Sequence, residues 1–208
     1  LMQSPIKLFK KIFYKTSKYS QAGQDLFALE LFGNGGSYID IGSGYPKENS
    51  NTYLLEVDHQ WKGFGVEIVK SVKNLWDKCP ERKNAIYWDD ATTLDYKKIV
   101  VENNLSSNID FLSCDIDPPQ QTFLALKKVI MDGVRPKYIA FETDFYRENI
   151  NYSSLAYSFL KTYDYSIAVS NVYSNLKKNK VFETWFVKNS LKFKTIEYNS
   201  WVKKNLFK

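Results

Sequence analysis

The chain has 208 residues, 44% of them hydrophobic and 16% aromatic, which fits one folded domain and excludes a disordered protein. Its net charge of +6 comes from the two ends. Residues 1–18 carry five lysines and no acidic residue, and residues 188–208 carry six lysines and one glutamate. The middle of the chain is therefore acidic, which argues against a dedicated nucleic-acid-binding protein, and no nucleic-acid partner is predicted. No apolar run reaches the roughly 18 residues that a membrane-spanning helix needs, and no signal peptide is predicted. The two cysteines are far apart in the sequence, which favours reduced thiols in a cytoplasmic protein.

Short β-branched or aromatic runs alternate with longer segments of helical spacing. A first helix is predicted over 23–32 and ends at Gly33. Strands are then predicted at 37–42, 63–68, 85–88, 109–116 and 137–142, and each precedes a helix, at 50–60, 69–78, 92–104, 118–131 and 152–163. Two closing strands, at 165–170 and 181–188, flank a polar loop and suit an antiparallel edge.

This alternation predicts a largely parallel sheet with helices on both faces. Seven strands with an antiparallel last member resemble the sheet of the class I methyltransferases, and we predict that Rossmann-like α/β fold. One domain is expected over 20–208, after a basic extension at 1–19 that is a candidate for peripheral contact with an anionic membrane or glycan. A packed helix or an unstructured leader is the alternative for this extension.

Ligands of such open sheets bind beyond the carboxyl ends of the strands, and polar motifs lie at these positions. In YIDIGSGYP (38–46), Asp40 precedes a turn formed by Gly42 and Gly44, where glycine tolerates positive φ and leaves room for a ligand. A dinucleotide site would have a third glycine where this chain has Lys47, so a ligand without a diphosphate is favoured. A plain turn between strand and helix is the alternative.

Two acidic positions follow the next two strands. Glu67 ends the second strand, where a carboxylate can accept two hydrogen bonds from a ribose diol. Asp90, followed by the small Ala91, is placed to receive an adenine amino group. Asp89 offers the same chemistry, and either aspartate can instead cap the next helix. Together these residues predict an adenosine-containing ligand.

Four carboxylates follow the fourth and fifth strands: Asp115, Asp117, Glu142 and Asp144. Their mutual repulsion would raise the pKa of at least one toward that of a general base, or would attract a cation. We therefore predict catalytic roles for Asp117, Glu142 and Asp115, and a candidate Mg²⁺ site at Asp115, Asp117 and Asp144. Helix capping and solvated loop charges are the alternatives.

Several segments, taken in order, resemble the FkbM-type methyltransferases: SQAGQDLFALELF (20–32), GGSYIDIGSGYP (35–46), SNTYLLE (50–56), WKGFGVEI (61–68), DFLSCDIDPP (110–119) and YIAFETDFY (138–146). The resemblance implies transfer of a methyl group from S-adenosylmethionine (SAM) to a hydroxyl of a sugar, polyketide or other metabolite. The residues predicted to bind SAM are Gln21, Gln24, Asp40, Gly42, Ser43, Gly44, Asn51, Glu67, Ile68, Asp90, Ala91 and Asp115.

The sequence thus predicts a SAM-dependent O-methyltransferase that acts on a sugar, a sugar-nucleotide or a related small molecule. One alternative is a metal- and nucleotide-sugar-dependent glycosyltransferase that uses Asp115-Ile116-Asp117, although the glycine turn and Glu67 would then have no explanation. Another is a non-catalytic module that holds an anionic polymer with its basic ends.

Overall fold

The computed structural model describes residues 19–143, 150–174 and 180–206, so residues 1–18 of the basic extension and Asp144 lie outside the described residues. The helices are α1 (Gln24–Phe32), α2 (Tyr53–His59), α3 (Lys73–Asp77), α4 (Tyr96–Glu102), α5 (Pro119–Met131), α6 (Tyr152–Lys161) and α7 (Tyr198–Leu206). The strands are β1 (Ser37–Ile41), β2 (Lys62–Val66), β3 (Ala85–Tyr87), β4 (Phe111–Cys114), β5 (Tyr138–Glu142), β6 (Tyr165–Ser174), β7 (Lys180–Lys188) and β8 (Ile196–Glu197).

These strands form one sheet in the order β3-β2-β1-β4-β5-β7-β6-β8. The first five strands are parallel, and β7 runs antiparallel between β5 and β6. The order reverses between β1 and β4, and in open sheets this switch point is where ligands bind. The predicted α/β fold is confirmed, with eight strands in place of the expected seven, because the two-residue β8 is too short to show an alternating pattern.

Helices cover both faces of the sheet. On one face α4, α5 and α6 bury their apolar sides, and α5 places Ala125, Leu126, Val129 and Ile130 against the strands at helical spacing. On the other face α1, α2 and α7 cover an aromatic cluster in which the Phe27 ring lies 5.0 Å from the Trp185 ring. In the described part of the chain, no helix has the length and apolar character needed to cross a membrane.

Several element boundaries differ from the sequence prediction; the strand expected at 109–116, for example, spans Phe111–Cys114. The helix expected from residue 92 begins at Tyr96, because Asp95 caps it by accepting a hydrogen bond from the Lys98 N–H at 3.0 Å. The strand expected at 165–170 continues to Ser174. Helix α7 was not predicted from the sequence, yet it buries Trp201 against α1 and the sheet.

Candidate active site

The glycine turn after β1 packs against two neighbouring strands. The N–H groups of Gly42 and Ser43 donate to the Val66 carbonyl at 2.9 and 3.2 Å, and the Ser43 hydroxyl donates to the Asp40 carbonyl at 2.8 Å. Gly42 has a φ of 77°, and a Cβ there would lie 1.7 Å from the Asp115 carbonyl oxygen. The chain itself therefore fills the space that the sequence analysis gave to a ligand, while a contact between Gly42 and a cofactor stays a prediction.

Gly44 differs, because the space beside it is open. Its φ is 52°, and the nearest atom to a Cβ built there is 3.9 Å away. The Gly44 N–H donates to one carboxylate oxygen of Glu67 at 2.8 Å, and the Val69 N–H donates to the other at 2.7 Å. Ile68, the residue after Glu67, is 60% exposed. An oriented carboxylate beside an exposed apolar side chain suits a ribose with its attached base.

Asp40 lies below this turn, inside the protein. It accepts a hydrogen bond from the Thr52 hydroxyl at 2.7 Å, and burial raises the pKa of its carboxyl although Thr52 and the charge of Arg82 act in the opposite direction. The Asn51 amide donates to the Ser113 hydroxyl at 3.0 Å. The Asn51 carbonyl oxygen is buried and has no hydrogen-bond partner within the described residues, so it can accept from a ligand.

Arg82 holds this region together and was missed by the sequence analysis. Its guanidinium pairs with the Glu56 carboxylate, with 2.7 Å between Nε and Oε2. It also donates to the Pro46 carbonyl at 2.9 Å and to the hydroxyls of Ser50 and Thr52 at 3.1 Å. These contacts join the loop after the glycine turn to α2. The sequence gives no sign of the role of Arg82, because these partners lie 26 to 36 residues away, in segments without a recognisable motif that involves Arg82.

Trp76 contacts both Arg82 and the glycine turn. Its ring packs 4.6 Å from the Arg82 guanidinium carbon, and its indole N–H donates to the Gly44 carbonyl at 2.9 Å. Both peptide groups of Gly44 that can form hydrogen bonds are therefore held, the N–H by Glu67 and the carbonyl by Trp76. The turn is preorganised before any ligand binds.

Asp90 and Ala91 follow β3 in a tight turn. One Asp90 carboxylate oxygen accepts from both the N–H and the hydroxyl of Thr92, at 2.8 and 2.7 Å. Ala91 is buried, and its carbonyl accepts from the Tyr96 hydroxyl at 2.8 Å. Asp90 thus forms a local turn and not the helix cap given as its alternative, because Asp95 caps α4. The adenine contact of Asp90 stays a prediction.

The segment after β4 places Asp115 beside the glycine turn. The Asp115 N–H donates to the Ile41 carbonyl at 3.0 Å, and the Ile116 N–H donates to the Thr122 hydroxyl at 3.1 Å. Asp115 is half-buried, whereas Asp117 is exposed. The DIDPP segment is thus anchored at both Asp115 and Ile116, and Asp117 stands outermost at the carboxyl edge.

Glu142 ends β5 and lies opposite Glu183 of β7. Both glutamates are buried, and Glu183 accepts from the Gln24 amide at 2.8 Å and from the Trp185 indole N–H at 2.7 Å. Gln24, predicted to bind the cofactor, is therefore bound to β7. The Gln21 carbonyl oxygen is buried without a hydrogen-bond partner among residues 19–143, 150–174 and 180–206. Glu183 was missed, although a lone acid in the apolar strand VFETWFVK was an available signal.

The carboxyl edge thus brings together most of the predicted residues, from the β1 and β2 tips to the β4 and β5 tips. Asp40, Gly44, Asn51, Glu67 and Asp115 surround the switch point. The candidate metal site at Asp115, Asp117 and Asp144 stays a prediction, because Asp144 lies outside the described residues. Among the residues that the structure describes, no group of three or more His, Cys, Asp or Glu is placed to hold an ion.

Solved structures with a similar fold include proteins named as methylases. An rRNA methylase from Streptococcus thermophilus matches with a TM-score of 0.52 and 11% identity, over 90% of this chain and 98% of that chain. A candidate rRNA methylase from Clostridium thermocellum matches with a TM-score of 0.54 and 13% identity, over 83% and 97%. The protein has a class I methyltransferase fold.

Another match to this methyltransferase fold is a fibrillarin from Aeropyrum pernix with natively bound SAM. Its TM-score is 0.51 and its identity 18%, over 78% of this chain and 74% of that chain. Identities this low establish the fold alone. No family model and no curated protein matches the chain, so the FkbM resemblance stays a prediction.

Proposed function

We propose that the protein is a SAM-dependent methyltransferase whose cofactor lies across the carboxyl ends of β1, β2 and β4. The observation that carries the proposal is the Glu67 carboxylate, which the Gly44 and Val69 N–H groups hold beside the exposed side chain of Ile68. A fixed carboxylate can accept hydrogen bonds from a ribose diol, and the apolar neighbour can cover one face of the adenine.

The remaining residues at this edge fit the rest of SAM. The buried carbonyl oxygens of Asn51 and Gln21, which lack partners in the described part of the chain, can accept from an ammonium or amino group. Asp40 and Asp115 surround the turn with negative charge, which complements a cationic sulfonium and ammonium. The same charge would repel the diphosphate of a dinucleotide, so SAM is favoured over a nicotinamide cofactor.

Bound SAM supplies a methyl group on a positively charged sulfur. Residues at this edge would hold the acceptor oxygen close to the bound cofactor, and such positioning accounts for much of the rate of a group transfer. A carboxylate of the chain would take the proton of the acceptor hydroxyl as the methyl group is transferred. Glu142, Asp115 and Asp117 are the candidates for this base.

The acceptor we propose is a hydroxyl of a sugar, a sugar-nucleotide or a related metabolite. This part rests on the FkbM resemblance, and the fold comparison leaves the acceptor class open because two of the similar structures are named as rRNA methylases. The glycosyltransferase alternative is not favoured, since the fold is that of methyltransferases.

The test is a titration of the purified protein with SAM and with S-adenosylhomocysteine, followed by calorimetry and by thermal unfolding. A ligand at about 100 times its Kd stabilises the native state by about 2.7 kcal/mol, so a clear rise in Tm is expected with SAM. Glu67→Gln should weaken SAM at least about tenfold, because a charged acceptor is lost. The matched control is Glu102→Gln on the exposed side of α4, which should bind SAM normally. Stabilisation by UDP-glucose with Mn²⁺ but not by SAM would contradict the proposal.

A further inference from the structure

A groove crosses the amino edge of the sheet, which is the edge opposite the glycine turn. Ser37 begins β1, Asp110 directly precedes β4 and Lys137 directly precedes β5, and all three line the groove. Lys188 joins them because β7 runs antiparallel and ends at this edge. The groove has a volume of about 760 Å³, within the roughly 300–1,000 Å³ that is usual for ligand sites. It is therefore large enough for a ligand of its own, and the length of the strands separates it from the candidate active site.

Two cations of the groove, Arg135 and Lys188, form no ion pair within the residues that the structure describes. The Arg135 guanidinium donates to the carbonyls of Ile130 and Val134. The Lys188 ammonium donates to the Tyr163 carbonyl at 2.6 Å. A carbonyl carries no net charge, so these hydrogen bonds orient the two side chains without cancelling their positive charge.

The same two cations lie close together, around two tyrosines. The Arg135 guanidinium carbon is 4.9 Å from the centre of the Tyr163 ring, and the Lys188 Nζ is 4.4 Å from the centre of the Tyr165 ring. Burial lowers the pKa of the Lys188 ammonium and the charge of Arg135 lowers it further, while the charge of Asp164 acts in the opposite direction. Like charges in this arrangement repel each other, so both cations would attract an anion placed between them.

The two carboxylates of the described lining are held by other partners. Asp110 accepts from the Lys137 ammonium at 2.7 Å, and from the N–H and the hydroxyl of Ser37 at 2.9 and 3.0 Å. Asp164 accepts from the Asn189 amide at 2.7 Å. Three cations and two carboxylates line the described groove, so its excess charge is positive.

Hydrogen-bond donors remain available beside this charge. The side-chain hydrogen bonds of Arg135 use only Nη1, which leaves Nε and Nη2 as donors. Lys188 uses one of its three N–H groups on a carbonyl. The hydroxyls of Ser106 and Ser190 belong to the same lining. A phosphate group has several acceptor oxygens and up to two negative charges, so it matches an arginine, a lysine and hydroxyls better than a carboxylate does.

The groove also has an apolar part, which a phosphate alone would not fill. The Phe32 ring lines it, and the Lys137 Nζ lies 5.7 Å from the centre of that ring. Leu191 adds a second apolar side chain. Bases stack on aromatic side chains that lie next to cations, and such stacking depends little on which base is bound. A phosphate with an attached ring therefore fits the lining better than a free anion.

We infer that this groove is a second ligand site, and that it binds a nucleotide through its phosphate group. Arg135 and Lys188 bind the phosphate, and Phe32 lies against the base. A free nucleotide and a nucleotide within an RNA strand offer the same phosphate chemistry, and the experiment distinguishes these two sources. The inference does not depend on the proposed methyl transfer, because the groove lies at the other edge of the sheet.

The test is calorimetry and thermal unfolding with guanosine 5′-monophosphate (GMP), guanosine, inorganic phosphate and an octauridylate RNA strand. All are compared at constant ionic strength and at low millimolar concentration, where the general stabilising effect of phosphate salts is small. GMP should bind and raise the Tm, inorganic phosphate should bind more weakly, and guanosine should not bind. Lys188→Gln and Arg135→Gln should each weaken GMP at least about tenfold, because each removes a charged donor. Glutamine can still donate to the carbonyls that these side chains contact, which favours folded variants.

Two controls assign the binding to the groove. Lys97→Gln removes an exposed lysine of α4 that does not line the groove, and it should leave GMP binding unchanged. Glu67→Gln alters the proposed cofactor site at the opposite edge and should also leave GMP binding unchanged. A loss of GMP binding in Glu67→Gln would place the nucleotide in the cofactor site and overturn the inference.

The remaining outcomes are equally distinct. Tighter binding of GMP than of the RNA strand identifies a free nucleotide as the ligand, and the reverse order identifies a nucleic acid, provided that Lys188→Gln weakens the tighter ligand. The inference is overturned if guanosine binds as well as GMP, if no phosphate-bearing ligand binds, or if both groove variants bind GMP as the wild type does. Failure of SAM to bind the wild-type protein would overturn the proposed function and leave the groove untouched.

Discussion

The two halves of the carboxyl edge are built differently. In the half formed by β1 and β2, a glycine turn is held by Glu67, Trp76 and Arg82, which lie within about 40 residues of it in the chain. In the half formed by β5, β7 and β6, the contacts join distant segments, as in the Gln24–Glu183 pair separated by 159 positions. The first half is held by ion pairs and backbone hydrogen bonds between segments close in the chain, and the second depends on how the whole sheet assembles. This difference predicts how much stability each substitution costs.

The largest effect is expected from Gly42→Ala. The new Cβ would meet the Asp115 carbonyl oxygen at 1.7 Å, and a φ of 77° is unfavourable for alanine. A contact that short cannot be relieved without moving β4, so we expect a loss of about 3 kcal/mol or more in the free energy of unfolding. Urea denaturation measures it. Gly44→Ala is the control, because its Cβ would meet open space, and it should lose only about 1 kcal/mol. Equal losses would show that the Asp115 contact does not govern the turn.

Arg82→Leu should come next, with a loss of about 3–5 kcal/mol, because it leaves the buried Glu56 and Asp40 carboxylates without their cation. Arg135→Leu is the comparison, since the Arg135 guanidinium donates to the carbonyls of Ile130 and Val134 and not to a carboxylate in the described residues. Its loss should be clearly smaller. Similar losses in the two variants would mean that Arg82 contributes packing and not charge.

The pH dependence of the stability loss in Arg82→Leu distinguishes a contribution from charge from one from packing. Burial already raises the pKa of Asp40, so its protonated form favours the folded state at low pH and this contribution is lost as the pH rises through the folded-state pKa. Removing Arg82 takes away a charge that lowers this pKa, so the pKa rises further. The loss of stability caused by Arg82→Leu should therefore shrink as the pH falls and Asp40 becomes protonated. A penalty independent of pH would contradict the electrostatic account.

The smallest effect tests the second half of the edge. Glu183→Gln keeps one good acceptor oxygen but places an amide N–H₂ against a donor, so a loss of about 1–2 kcal/mol is expected. Glu30→Gln is the matched control, because Glu30 also accepts from a tryptophan indole N–H, that of Trp201, but is exposed. It should lose no more than about 0.5 kcal/mol. If the two variants lose the same free energy of unfolding, burial does not strengthen the contacts of Glu183.

The first half of the edge was largely predictable. The strand and turn pattern around Asp40, Gly42 and Gly44 is local, and so is the position of Glu67 at a strand end. The second half was not, because the buried contacts of Glu183 depend on the insertion of β7 between β5 and β6, which no neighbouring residues dictate. Arg82 was missed for the same reason, because its structural role depends on contacts with residues that only the fold brings close to it.

By itself, the sequence determined the alternation of strands and helices, the parallel sheet and the placement of acids at strand ends, because periodicity and turn chemistry act over a few residues. The tertiary structure decided which acids are buried, and it brought Arg82 to Glu56 and Gln24 to Glu183. Burial and ion pairing depend on the distances between segments that are remote in the chain, and only the folded sheet sets those distances.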